Sequence, residues 1–400
     1  MRRHWSINGR FLTQPATGVQ RYAAEIVRAL DALLAQGHPL ATDLSIDLVT
    51  PPGCRRRLPL MAIRTVACGT VGGHLWEQAV LPTQVSGGLL SLGNSGPLSV
   101  RRQIVCIHDV NTRAFPQSYS LAFRALQRVM LPLLGQTAAQ VTSVSQHSAA
   151  EIARHGICAA AQIAVMPNGH DHVAQWTPRH SETTRRVAGP DTIVMVGTPA
   201  PHKNMDLILG LAERLAVLGL QVAVVGMAEA RLYQAGRSGT GRDHVTWLGK
   251  ISDAELAALL RSSLCLAFPS FVEGFGLPPL EAMALGCPVV SSDRASMPEI
   301  CGDAALYASP TDPEAWLNCF ARLRHDEDLR RLMIARGRAQ AMRFSWGASA
   351  ERYLEAMSTI DALGVTRSSA PTRRWIPTPS WVAGDAGRRS RRLHEPAADA

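Results

Sequence analysis

Short apolar runs alternate with stretches of helical period along most of this chain. In the first half, 44–50, 103–107 and 140–144 read as strands, and 19–34, 121–134 and 148–154 as helices. A polar, charged stretch without period, 176–190, then reads as a linker. Beyond it, 192–196, 221–225, 245–248, 264–268 and 288–291 read as strands, separated by helical patterns at 205–218, 253–261, 278–285 and 312–324. A last amphipathic helix is expected over 348–360. Strands alternating with helices predict parallel sheets. The expected class is α/β, with two Rossmann-like domains facing a central cleft. Residues 1–175 would form the first domain and 191–345 the second. A C-terminal helix over 346–365 and a tail, 366–400, would follow.

At 400 residues each half can bury its own core. A hydrophobic content of 46% with 18% charge describes a globular chain, and no apolar run reaches the length of a membrane span. The start, Met1-Arg-Arg-His-Trp-Ser, has no apolar run of the kind a cleaved leader carries, so a cytoplasmic enzyme is expected. The 8 cysteines are scattered without paired spacing and read as reduced core thiols. The net charge of +9 is weighted to the tail, where seven arginines face Asp385, Glu395 and Asp399. That composition predicts disorder. With Trp375 and Trp381 it also suits an anionic membrane surface, the alternative being a solvated tail without a role. The run 119–134 mixes arginines with apolar residues and reads either as a membrane-surface helix or as a half-buried core helix. The charge forms no stripe interleaved with aromatics, so a nucleic-acid partner is not expected.

The chemistry concentrates in Glu273-Gly-Phe-Gly-Leu-Pro-Pro-Leu-Glu281. The apolar run before it reads as a strand, and Pro278 and Pro279 suit a first helical turn closed later by Gly286. Glu281 would then sit in the first turn, and Glu273 on the loop before it. Ligands of open α/β sheets bind at that edge. Free amides at a helix start favour phosphate, whereas carboxylates favour sugar hydroxyls, so the segment describes a nucleotide-sugar pocket. The segment 196–204 follows another strand. Gly197 lets the chain turn, and Lys203, beside His202 and Asn204, is placed for a diphosphate.

Three further segments join these. Ile107-His108-Asp109 ends a strand, with His108 able to reach a sugar hydroxyl. Pro167-Asn168-Gly169 is a turn at the domain junction and a candidate cleft wall. Gly18 opens the first helix and permits close backbone approach. The glycines around it do not form the dinucleotide fingerprint, so NAD is rejected.

Taken together, these segments resemble the retaining glycosyltransferases of family 4, which have the GT-B fold. The two glutamates carry the resemblance, with Thr-Gly-Val-Gln-Arg-Tyr (17–22), Ile-His-Asp (107–109), Pro-Asn-Gly (167–169), Gly-Thr-Pro-Ala-Pro-His-Lys-Asn (197–204) and Leu-Gly-Lys-Ile (248–251) in the family's order. The match covers most of the chain up to about residue 365. It implies that Glu281 binds ribose hydroxyls, that Glu273 contacts the donor sugar, and that amides of Gly274, Phe275, Gly276 and Leu277 approach sugar and diphosphate. Lys203 would neutralise the diphosphate, Gly18 would let the first domain close, and His108 would lie near the reacting sugar. Leu248, Gly249 and Lys250 would contact the base. Transfer would retain configuration without a protein nucleophile, by positioning and leaving-group stabilisation, with no metal. His202 and Thr198 stand where many members carry an arginine, which leaves a partly charged histidine, Arg10 or Arg21 to help the leaving group. The details around Gly9 and Gly18 resemble bacterial surface-polysaccharide mannosyltransferases. They favour GDP-mannose over UDP-glucose as donor and a glycan or lipid-linked glycan as acceptor. A catalytically silent sugar-nucleotide binder is the other reading.

Overall fold

The structure, a computed structural model, describes residues 3–226 and 244–364. The arginine- and tryptophan-bearing tail lies outside the described residues. Seven strands form the first sheet: β1 Arg3–Asn8, β2 Leu44–Thr50, β3 Arg64–Ala67, β4 Gly88–Ser91, β5 Gln103–Cys106, β6 Gln140–Ser143 and β7 Ile163–Val165. Their order is β3-β2-β1-β4-β5-β6-β7, and every pair is parallel. Six form the second: β8 Thr192–Val196, β9 Gln221–Val225, β10 Val245–Gly249, β11 Cys265–Phe268, β12 Val289–Ser292 and β13 Ala305–Ala308. They run β10-β9-β8-β11-β12-β13, again all parallel. Central strands such as β5, β6 and β11 are buried at every residue; of these β11, Cys-Leu-Ala-Phe, is the one that reads as an unbroken apolar run.

Each sheet reverses its order once, between β1 and β4 and between β8 and β11. The crevice outside the carboxyl ends of those strands is where an open α/β sheet takes a ligand. The loop after β8 carries Lys203, and the loop after β11 carries Glu273. The first sheet places Asn8 at the end of β1 and Arg10 just after it, Ser95 after β4 and His108 after β5.

The helices used below are α1 Gly18–Ala35, α2 Leu121–Thr137, α3 Gln146–Arg154, α4 Asp253–Ser262, α5 Leu277–Leu285 and α6 Trp346–Ala362. Helix α6 crosses back onto the first domain, as expected. Its Tyr353 hydroxyl lies 2.9 Å from the hydroxyl of Tyr22 and 3.1 Å from Thr142 Oγ1, and Ser349 donates to the Pro167 carbonyl at 2.5 Å. At its far end Asp361 accepts from Arg3 at 2.5 Å, from the Trp5 indole at 3.0 Å, and from Arg102.

Several expectations need correction. The supposed linker holds a helix, Glu182–Val187, whose N-cap Ser181 accepts from the Thr184 amide. The pattern over 205–218 is two helices, Met205–Leu209 and Ala212–Val217, parted around Gly210. Helix α2 buries Met130, Leu131 and Leu134. Its outer face leaves Leu121 77%, Val129 60%, Phe123 41% and Leu133 37% exposed, so it is half-buried, as one of the two expectations for this run had it. All eight cysteines are free thiols, five of them buried. No helix among the described residues is long and apolar enough to cross a membrane.

Candidate active site

The loop after β8 turns at Gly197, whose φ of +154° is open to glycine. Gly226 closes over it: a Cβ there would lie 1.8 Å from the Gly197 carbonyl oxygen. A short 3-10 turn, Pro201–Lys203, ends at Asn204 in the left-handed region, φ 51°. The Asn204 side-chain amide donates to the carbonyls of Pro269 (3.2 Å) and Pro310 (2.8 Å). Asn204 therefore fixes this loop against the one after β11. The result is a direct pair: Lys203 Nζ donates to Glu273 Oε1 at 2.6 Å, and the ammonium sits 5.5 Å from the centre of the Phe268 ring.

Gly276 caps α5 with φ 100°, where a Cβ would meet Met297 Cε at 2.3 Å. The helix runs from Leu277 to Leu285, so Glu281 lies in its second turn rather than its first. Leu277 and Phe275 are buried, Phe275 packing edge-on against Phe344 with ring centres 5.6 Å apart. Glu281 faces the first domain. Its Oε1 accepts from His172 Nε2 at 2.9 Å and lies 3.8 Å from Arg21 Nε. Arg21, on α1, also grips both oxygens of Asp253 on α4, at 2.7 and 3.1 Å, and lies 5.2 Å above the Trp176 ring. Burial opposes its charge, but Asp253 and Glu281 hold its pKa above the ordinary value.

The two domains meet across this loop. The Gly274 carbonyl accepts from Ser145 (2.6 Å) and Ser148 (3.0 Å), and a Cβ on Gly274 would lie 2.6 Å from the His108 carbonyl oxygen. Glu299 accepts from the first two amides of α3, Gln146 (2.8 Å) and His147 (3.0 Å), an anion at a helix N-terminus.

The structure thus brings Lys203, Glu273, Gly274, His108 and Asp109 to one place, with Glu281 and Arg21 beside the same domain junction. Asp109 is raised by burial and further by the charge of Glu273. The ring of His108 is already engaged: Nε2 meets the Leu92 carbonyl at 2.8 Å, and Tyr22 stands edge-on with ring centres 4.7 Å apart. Gly18 opens α1 with nothing within 4 Å of a Cβ built on it. Leu248 and Gly249 end the edge strand β10, with Lys250 directly after it, and a register shift accompanies the Gly249 φ of +65°. Asn168 is buried with its side-chain oxygen unpaired.

Two expected helpers of the leaving group are placed otherwise. Arg10 is held by Glu77 (3.1 Å) and Ser95 (2.7 Å) inside the first domain. His202 is buried, lies 2.9 Å from Ser118 Oγ, and stacks on Tyr119 with ring centres 6.0 Å apart. Burial first, and then the Lys203 charge, hold its pKa below the usual histidine value, which disfavours the charged form there. Sequence reasoning also missed Ser145, Glu299, His172 and Trp346. Only His172, in His-Asp-His directly after Pro-Asn-Gly, offered a local hint.

Comparison with known proteins bears on the family and the fold. Residues 177–340 match the family described as glycosyl transferases group 1. The O-antigen chain mannosyltransferase B of Escherichia coli is 37% identical over 160 residues, 38% of this chain and 41% of that protein. The O-antigen chain mannosyltransferase RfbU of Salmonella typhimurium is 26% identical over 231 residues, 54% of this chain and 59% of that protein. The chain thus spans about half the length of these curated relatives. Among solved structures, WaaG, a glycosyltransferase involved in lipopolysaccharide biosynthesis, superposes with a TM-score of 0.65 at 16% identity, over 88% of this chain and 99% of that one. Anabaena HepE in complex with UDP and glucose gives 0.67 at 18% identity, over 90% of this chain and 100% of that one. At these identities the structures speak for the fold, which is GT-B. Within that fold, residues 177–340 are a glycosyltransferase group 1 domain.

Proposed function

We propose that this protein transfers a hexose, with retention of configuration, from a nucleoside-diphosphate sugar to a glycan or lipid-linked glycan of the bacterial surface. The observation that carries this is the Lys203–Glu273 pair at 2.6 Å, set at the reversal point of the second sheet and facing His108 and Asp109 of the first domain. Lys203 and the start of α5 offer positive charge to a diphosphate, a role that calls for no metal ion. Glu273, released from Lys203 when the diphosphate takes it, accepts from a sugar hydroxyl. The buried, closely apposed domains exclude water and fix the reacting groups, which is where most of the rate enhancement would arise. Mannose, carried as GDP-mannose, is the favoured donor over UDP-glucose, supported by the mannosyltransferases among the relatives. Work at the cytoplasmic face of a membrane is supported by the outer face of α2, where exposed apolar side chains lie beside Arg124 and Arg128.

The test is a panel of GDP, UDP and ADP with their mannose and glucose conjugates, read by thermal stabilisation and by sugar release. One nucleotide series should raise the melting midpoint by mass action, with its conjugate turned over. Stabilisation without turnover, with or without acceptor glycan, would instead favour the silent binder. No stabilisation at millimolar concentration would remove both readings.

A further inference from the structure

Outside residues 177–340, His172 reaches the Glu281 carboxylate and Trp346 reaches His172, both from the points where the chain passes between the domains. His172 lies on the short 3-10 turn Asp171–Gln175, and Trp346 opens α6. The two crossings are stitched together. Asp171 accepts from Ser345 Oγ at 3.0 Å and from the Trp346 amide at 3.1 Å, and the His170 amide donates to the Phe344 carbonyl at 3.2 Å.

The Trp346 indole lies 3.0 Å from His172 Nδ1. An indole N–H only donates, so Nδ1 must carry a lone pair. The proton of the neutral ring is then on Nε2, which lies 2.9 Å from Glu281 Oε1 and donates to it. His172, Trp346 and Glu281 are all buried, and the His172 ring stands edge-on to Trp176 with centres 5.2 Å apart. Arg21 approaches the same oxygen, Oε1, at 3.8 Å. The hydrogen bond from His172 and the nearest approach of Arg21 thus fall on one oxygen of the carboxylate. Among the described residues, Oε2 accepts from none.

We propose that Trp346 and His172 are positioning residues that lock the Glu281 carboxylate by Oε1 and present Oε2 to the ribose diol of a nucleoside diphosphate. The proposal rests on the reading of Glu281 as the ribose acceptor. It adds that the orientation of this carboxylate is set from the interdomain crossings. Donor binding and the angle between domains are thereby tied to one hydrogen-bonded chain.

The test compares GDP and UDP with their 2′,3′-dideoxy analogues, by calorimetric titration of the intact protein. The wild type should bind the better parent nucleotide about 10-fold or more tightly than its dideoxy analogue, the scale of a hydrogen bond to a charged group. In His172→Phe that preference should shrink to about 3-fold or less. In His172→Gln, whose amide N–H can replace Nε2–H, it should return. Trp346→Phe should shrink it as well, which keeps the test alive if His172→Phe does not fold. A merely structural defect would weaken parent and analogue alike and leave the ratio unchanged. If Glu281→Ala abolishes the preference while His172→Phe and Trp346→Phe keep it whole, the positioning chain is refuted and the ribose role stands. If Glu281→Ala keeps the preference, the ribose role falls and the proposal falls with it.

Discussion

Lys203 and Glu273, seventy positions apart in sequence, form an ion pair of 2.6 Å across two loops that leave neighbouring strands of one sheet. Each holds the other where a donor would replace one partner. Removing either alone therefore does different things. Lys203→Ala should lower kcat/KM about 100-fold or more, the scale of losing one preorganised positive donor at a leaving group. Glu273→Gln should lower kcat but leave affinity for the nucleoside diphosphate within about 3-fold, because Lys203 remains and loses a competitor. Titration calorimetry with the diphosphate, beside steady-state transfer, separates the two. Equal loss of affinity in both variants would contradict the assignment.

Gly274 stands where the domains touch. A methyl group there would meet the His108 carbonyl oxygen at 2.6 Å, a contact that neither backbone can relieve cheaply. Gly274→Ala should keep both domains folded and nucleotide binding intact, while transfer falls about 100-fold through misplacement of the reacting groups. Unchanged transfer would show that the domain contact seen here is not the reacting one.

Burial and the neighbouring ammonium of Lys203 disfavour the charged form of His202. Its folded pKa is below its unfolded value of about 6.5. The stability it contributes is therefore fully present above that value and is lost as pH falls through the folded pKa. Urea midpoints of the wild type should drop between about pH 6.5 and pH 5 by more than those of His202→Phe. Above pH 7 the two should show parallel activity profiles. A wild-type activity that falls between pH 6 and 8, and does so only when His202 is present, would restore a charged role for this ring.

The outer face of α2 carries Leu121, Val129 and Leu133 exposed, with Arg128 alongside. Such a stripe suits the boundary of an anionic bilayer. Leu121→Ser with Val129→Ser should reduce co-sedimentation with vesicles of phosphatidylglycerol and phosphatidylethanolamine about 10-fold or more, since two exposed aliphatic side chains that the bilayer would bury are lost. Transfer to a water-soluble acceptor should be untouched. Equal sedimentation of variant and wild type would take α2 out of any membrane contact.

The strands β2, β8 and β9 begin and end where the sequence placed them; in β8 and β9 nearly every residue is buried and no polar alternation interrupts the apolar run. β4 escaped that reading. Gly88-Leu-Leu-Ser91 is short and opens with a glycine, yet a Cβ at Gly88 would meet the Trp5 ring at 2.4 Å. Its reason lies in a residue on another strand. β3, at the edge, is mostly exposed and carries an arginine that pairs with Asp47 at 2.8 Å, so no apolar run marks it. The site divides the same way. Lys203, Glu273 and Glu281 were legible because loop glycines and prolines flag the strand ends. His172 was not, since the carboxylate it serves is 109 positions distant and no local period encodes that contact.

Helix α6 has a consequence for how the protein is made. Tyr353 and Asp361 fill and pin the first domain, bonding to Tyr22, Thr142, Trp5 and Arg3. Domains tend to fold as they leave the ribosome, amino-terminal part first. Here the first half must wait, with a core lacking one wall, while the entire second half is synthesised. The earliest-made domain therefore gains the contacts of Tyr353 and Asp361 only after α6 has been synthesised.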